Sequence, residues 1–369
     1  MRGKKRGVLS LLVFLLVIFV LGAWGCARNI KSDEPRTPKE EPKVEQPVGY
    51  VGSSSCGACH ANQFDAWENT LHRRMVQDAK KANVIKGDFT KAGNPFEVAK
   101  DVKEQDIIYT LGSEWKQRYL IKQGDDFRIL PAEWIVATKS WKPYNAEDWD
   151  KRAWEDLCIA CHTTGYNAKT GEFKDSGIGC EACHGPGEKH VGSRDKADIV
   201  NPKNLEFERQ VEVCGQCHYR GKNKKEPTRE DALGFKPGDN IGEWVTLLEP
   251  KPGEETDAFF ADGASKKHHQ QYQDYIQSKH YTSKKVTCTT CHDPHKAEDP
   301  VGEPALKKPL DELCTTCHRE GGLAAALPTP IDLDKYMPKR AKSATEQDIR
   351  SHTFKPGQTE TIPKKPYQS

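Results

Sequence analysis

Residues 178–190 read IGCEACHGPGEKH, and the core of that stretch, Cys-x-x-Cys-His, occurs six times in the 369-residue chain. The copies are CGACH (Cys56, Cys59, His60), CIACH (Cys158, Cys161, His162), CEACH (Cys180, Cys183, His184), CGQCH (Cys214, Cys217, His218), CTTCH (Cys288, Cys291, His292) and CTTCH (Cys314, Cys317, His318). With 13 Cys and 13 His in the chain, chance gives about 0.02 copies of this haem-attachment pattern. Composition does not explain six. Each motif has one chemical job: two thiols add to the two vinyl groups of a haem, and the adjacent imidazole is carried under the ring as the proximal iron ligand. Six copies use twelve of the thirteen cysteines and imply six covalently bound c-type haems. Zinc ribbons combine CxxC pairs two by two and require no His after each second Cys. A disulfide framework does not repeat one three-residue spacing six times.

The rest of the composition agrees. Only 36% of residues are AVILMFWYC; counted with Gly and without Tyr, the apolar share is about 41%, below the roughly 45–50% of soluble domains. Haem faces would fill what the side chains leave. The formal charge is +2, with no basic stripe of the kind that binds nucleic acid. A ferric haem with two ionised propionates brings about −1, so six take the total to about −4 and full reduction to about −10.

Residues 1–25 carry a basic start (Arg2, Lys4, Lys5, Arg6) and an apolar run from Val8 to Trp24, the pattern of an export signal or anchor. The thirteenth cysteine, Cys26, follows in LGAWGC, where a bacterial lipoprotein would be lipidated; an uncleaved anchor is the other reading, although Ala23 and Trp24 are unusual before a lipidated Cys. Residues 26–49 are rich in Pro and charge and read as a disordered tether. These features predict an exported, membrane-held protein on the periplasmic or cell-surface side, with redox partners that are quinol-linked or are periplasmic or surface cytochromes. After residue 25 no apolar stretch is long enough to span a bilayer.

The motifs are unevenly spaced. Residues 50–257 would hold haems 1–4 and residues 258–369 haems 5–6 with a basic tail. In the gap after the first motif, IIYTLG, KQRYLIKQGDD and FRILPAEW are apolar runs broken by Gly112 and Gly124, which predict a small antiparallel β-meander over about 105–135. Short helices are expected around each motif, for instance over 64–82, and irregular surface over 219–279. The fold class expected is mainly α with little regular structure, packed on haem, with the meander as an insert.

Six proximal His leave seven: His72, His190, His268, His269, His280, His295 and His352. Every iron could therefore be six-coordinate. Two imidazoles on opposite faces of one iron need Cα atoms about 13 Å apart, whereas three residues reach about 10–11 Å. His295 therefore belongs to a neighbour of the haem held by His292, and His190 is expected to cross over from His184 likewise. The expected distal set is His72, His190, His280, His295 and His352, with His269 or His268 as the sixth; Met337 is a weaker candidate.

These stretches also resemble a known family. YVGSSSCGACHANQFDAWENTLH (50–72), WKQRYL (115–120), ILPAEW (129–134), IGCEACHGPGEKH (178–190), VTCTTCHDPH (286–295) and DIRSHTF (348–354) are similar to segments of the cytochrome c-554-like multihaem proteins. The resemblance implies a mostly helical, haem-filled fold and electron transfer outside the cytoplasm. The family's type carries four haems and this chain has six motifs, so no particular partner or substrate follows. The leading expectation is an electron carrier with no catalytic residue. The alternative is a reductase or oxidoreductase of a small nitrogen or sulfur species at an open haem. All six motifs end in His, so the CxxCK haem of ammonia-forming nitrite reductases is missing, and the carrier reading is preferred.

Overall fold

A computed structural model describes residues 49–124, 126–297, 305–343 and 349–356. The apolar N-terminal run, Cys26 and the tether lie outside the described residues. Among those described, no helix is long and apolar enough to cross a membrane.

The apolar runs after the first motif form one antiparallel sheet. Its strands are β1 (Val76–Asp78), β2 (Ile107–Leu111), β3 (Lys116–Gln123), β4 (Asp126–Ile129), β5 (Ala132–Ile135) and β6 (Ser140–Pro143), in the order β1-β2-β3-β5-β6 with β4 also on β3. The central strand β3 serves three partners: Arg118 faces Leu111 on β2, Leu120 faces Ile129 on β4, and Gln117 faces Trp134 on β5. Successive side chains of a strand point to opposite faces, so the buried run Tyr119-Leu120-Ile121 feeds two cores. Tyr119 and Ile121 join Ile107, Leu130, Trp134 and Trp141; Leu120 joins Val76, Leu111, Ile129, Trp154 and Ile159. Gly112 turns β2 into β3 with φ 84°, and a Cβ there would lie 2.4 Å from the Lys116 carbonyl oxygen. The left-handed conformation and the close approach both require glycine. The meander is thus present and wider than expected, with β1 and β6 added at its edges.

Helix is scarcer than the sequence suggests. The longest described helix, Phe207–Gly215, has 9 residues, so "mainly α" holds only loosely. The helix expected over 64–82 runs from Ala61 to Glu68. Thr70 then donates its hydroxyl to the Trp67 carbonyl, and Val76–Asp78 leaves to pair with β2; strand pairing overrides the local helical pattern.

The segment 219–279 is irregular, with short paired strands at Gly221–Asn223 and Val245–Leu247. It is not all surface. Tyr219, Phe235, Ile241, Val245, Tyr272 and Tyr275 form a third core with Val211. In the same segment, Arg229 (3% exposed) grips Asp231 (1% exposed) through both carboxylate oxygens at 2.9 and 2.8 Å. A planar guanidinium on a carboxylate is the geometry that makes a buried ion pair tolerable.

Candidate haem sites

Each motif cysteine pair lies on or beside a short helical turn that leads to its histidine. Cys180–His184 is one such turn, closed by Gly185 at φ 74°. Opposite each proximal ring the chain brings a second imidazole from elsewhere. Ring centroids are 6.2 Å apart for His60 and His190, 6.3 Å for His218 and His72, and 6.1 Å for His162 and His269. They are 6.2 Å apart for His184 and His295, 6.2 Å for His292 and His352, and 5.9 Å for His318 and His280. A metal–nitrogen bond of about 2.0 Å plus about 1.1 Å to the ring centre, on each side, places two imidazoles of one metal about 6.2 Å apart. The six gaps have the width that one iron between two imidazoles needs, so the residues fit the group.

Proton placement fits as well. The Nδ1 atoms of His184, His190, His318 and His352 lie 2.8, 2.8, 2.9 and 3.1 Å from the carbonyl oxygens of Val200, Asp195, Ala325 and Arg350. A carbonyl only accepts, so Nδ1 carries the proton and Nε2 keeps its lone pair. His218 is oriented by the Gln271 Oε1 atom at 3.2 Å. Burial, reinforced by neighbouring histidines, pushes His72, His162, His292 and His352 down to about 4, although the Arg350 carbonyl opposes the shift at His352. His184, His218, His269 and His280 are lowered by burial too. Neutral imidazole is the metal-binding form.

The two adjacent histidines are separated by the backbone. His269 takes φ 53° and turns to His162, while His268 packs on His269 at 3.8 Å and faces no proximal ring. Burial and the charges of Lys116, Arg220 and Arg118 push His268 down to about 2. His295 lies opposite His184 rather than the nearby His292, and His190 lies opposite His60 rather than His184. Met337 is in none of the six pairs.

No disulfide joins any of the twelve motif cysteines. Thiols of different motifs meet: Cys56 with Cys180, Cys161 with Cys217, and Cys214 with Cys288. Glu181, inside the third motif and 1% exposed, accepts from the amides of Val51 (2.9 Å), Gly52 (2.8 Å) and Gly187 (2.7 Å). It ties the entry to the first motif onto the third. The sequence reading missed it, and its only signal is a carboxylate between two haem-binding cysteines.

Two family descriptions match this chain: "Cytochrome c554 and c-prime" over residues 55–105 and 133–185, and "Doubled CXXCH motif" over residues 280–322. Cytochrome c-554 of Nitrosomonas europaea is 23% identical over 154 residues, which take in 40% of this chain and 43% of that protein. The match thus spans less than half the length of the curated relative. The crystal structure of the outer cell wall cytochrome OcwA superposes with a TM-score of 0.68 at 25% identity, over 83% of this chain and 79% of that one. The chain resembles the multihaem c-type cytochromes. Such cytochromes transfer electrons, and the attachment motifs make covalently bound c-type haem the cofactor of this chain as well. OcwA gives a fold comparison for a chain built largely of short helices, small sheets and irregular segments.

Proposed function

We propose that the protein is a six-haem c-type cytochrome that relays electrons outside the cytoplasm, held at a membrane through its N-terminus. The observation that carries the reading is the set of six facing imidazole pairs, with centroids 5.9 to 6.3 Å apart, one pair for each motif. Proximal ligands would be His60, His162, His184, His218, His292 and His318. Distal ligands, in the same order, would be His190, His269, His295, His72, His352 and His280. Each haem supplies a one-electron ferric/ferrous couple. The chain's part is to hold two neutral imidazoles on each iron, which closes it to small ligands and keeps its geometry the same in both oxidation states. A reductase of a small nitrogen or sulfur species would need one proximal His without a facing ring, and each of the six has one.

Redox partners would be quinol-linked or other exported cytochromes, and Cys26 is the residue proposed to carry lipid. The test is spectroscopic, on protein matured with haem-attachment machinery. Intact mass should show six haem increments, the resting EPR spectrum should be low-spin ferric, and the reduced protein should not bind CO. A high-spin signal equal to one haem, together with CO binding, would favour the reductase.

A further inference from the structure

The six imidazole pairs differ in what stands behind the rings. At five sites at least one ring gives its Nδ1 proton to an oxygen: His190 to Asp195, His184 to Val200, His218 to Gln271, His352 to Arg350 and His318 to Ala325, at 2.8 to 3.2 Å. At the second site neither ring does. His162 Nδ1 is buried with no partner, and the His269 ring meets those of His162 and His268, with no oxygen on its Nδ1 among the described residues. An acceptor behind an imidazole makes it a more basic ligand, which favours ferric over ferrous iron. Site 2 lacks that pull.

The charges around site 2 act in the same direction. Lys116 Nζ donates to the Ser343 carbonyl at 2.7 Å, and the His268 amide donates to the adjacent Lys342 carbonyl at 3.0 Å, so the cation stands beside the paired histidines. The Arg118 guanidinium lies 3.7 Å from the centre of the Tyr144 ring, and Tyr144 lines one cavity with Cys158. Gln273 clamps the backbone of Arg220, amide and carbonyl both at 2.9 Å, from the helix Gln271–Ile276 that follows His269. Glu133 answers Arg118 at 2.7 Å. Nε of Arg220 is buried with no partner among the described residues, and it is the donor that a haem propionate would take. Positive charge nearby disfavours the ferric state, and burial does the same by penalising the extra charge on the iron. Ile159 within the second motif and Thr163 and Thr164 after it are at most 3% exposed, whereas Cys59 and His60 of the first motif are exposed.

We infer that site 2 is the electron store of the molecule, the haem of highest reduction potential among the six, and that Arg220 and Arg118 are the residues that raise it. The inference rests on the proposed six-haem reading and adds a rank among the haems. Filling the store moves one electron: iron 2 goes from ferric to ferrous while another of the irons goes from ferrous to ferric, with no other reactant.

The test is a potentiometric titration of the mature protein followed by EPR. Haem 2 is the haem whose low-spin signal changes in the variant His269→Ala. In the unmodified protein that signal should be the first to disappear on reduction. Arg220→Gln should move the same haem to lower potential and shift the other five less, and Arg220→Lys, which keeps the charge, should keep the potential. Should Arg220→Gln fail to mature with six haems, Arg118→Gln carries the same expectation. Another haem reduced before haem 2, or a shift in the Gln variant that is absent at haem 2 or equal in all six, would overturn the inference. Intact mass and the resting spin state, measured on the same samples, report separately on the six-haem reading.

Discussion

His295 is three residues from His292 in the chain, yet its ring stands 6.2 Å from that of His184. Replacing it with alanine is therefore expected to leave six attached haems and to turn one iron high-spin. That iron is the one on Cys180, Cys183 and His184, while the haem beside His292 stays low-spin. EPR with CO binding to the reduced variant checks this; a change at the His292 haem would reassign the pair. Much of the site was legible at this scale, because thioether chemistry dictates the spacing of the six motifs and because the short reach from His292 to His295 excludes a shared iron. The pairing itself was not. Which of two adjacent histidines faces His162 depends on the left-handed backbone at His269, and no local pattern announces it. Glu181 was equally silent, since its contacts to Val51 and Gly52 span 130 and 129 residues of the chain.

Between single residues and the whole lie the elements that hold one motif against another. Glu181 has no surface to give up, and three backbone amides point at its carboxylate. A buried donor left without a partner costs about 1–3 kcal/mol, so Glu181→Ala is expected to destabilise the mature protein by about 3 kcal/mol or more. Chemical denaturation followed by far-UV circular dichroism measures it. The same variant should weaken the contact between motifs 1 and 3 before any other, seen as faster amide exchange at Val51 and Gly52. The sheet was readable in advance because alternation and glycine breaks are local signals, whereas β1 was hidden inside an apparently helical stretch. The core under 219–279 escaped because its apolar residues, Tyr219, Phe235, Ile241 and Val245, are scattered singly among Gly, Pro and Lys and show no period.

At the scale of the molecule, one part can stand without haem. The cluster of Ala99, Ile107, Tyr119, Ile121, Leu130, Ala132, Trp134 and Trp141 contains no motif residue and sits on a sheet whose strands all fall between residues 76 and 143. Elsewhere the described helices have 9 residues or fewer, too short to hold together in water without something large and apolar to pack on. Chain made without its first 25 residues, in cells lacking haem attachment, should therefore keep the sheet and lose the rest. Limited proteolysis of that haem-free protein is expected to leave a resistant fragment covering about 76–143, with rapid cleavage through 49–75 and 305–343.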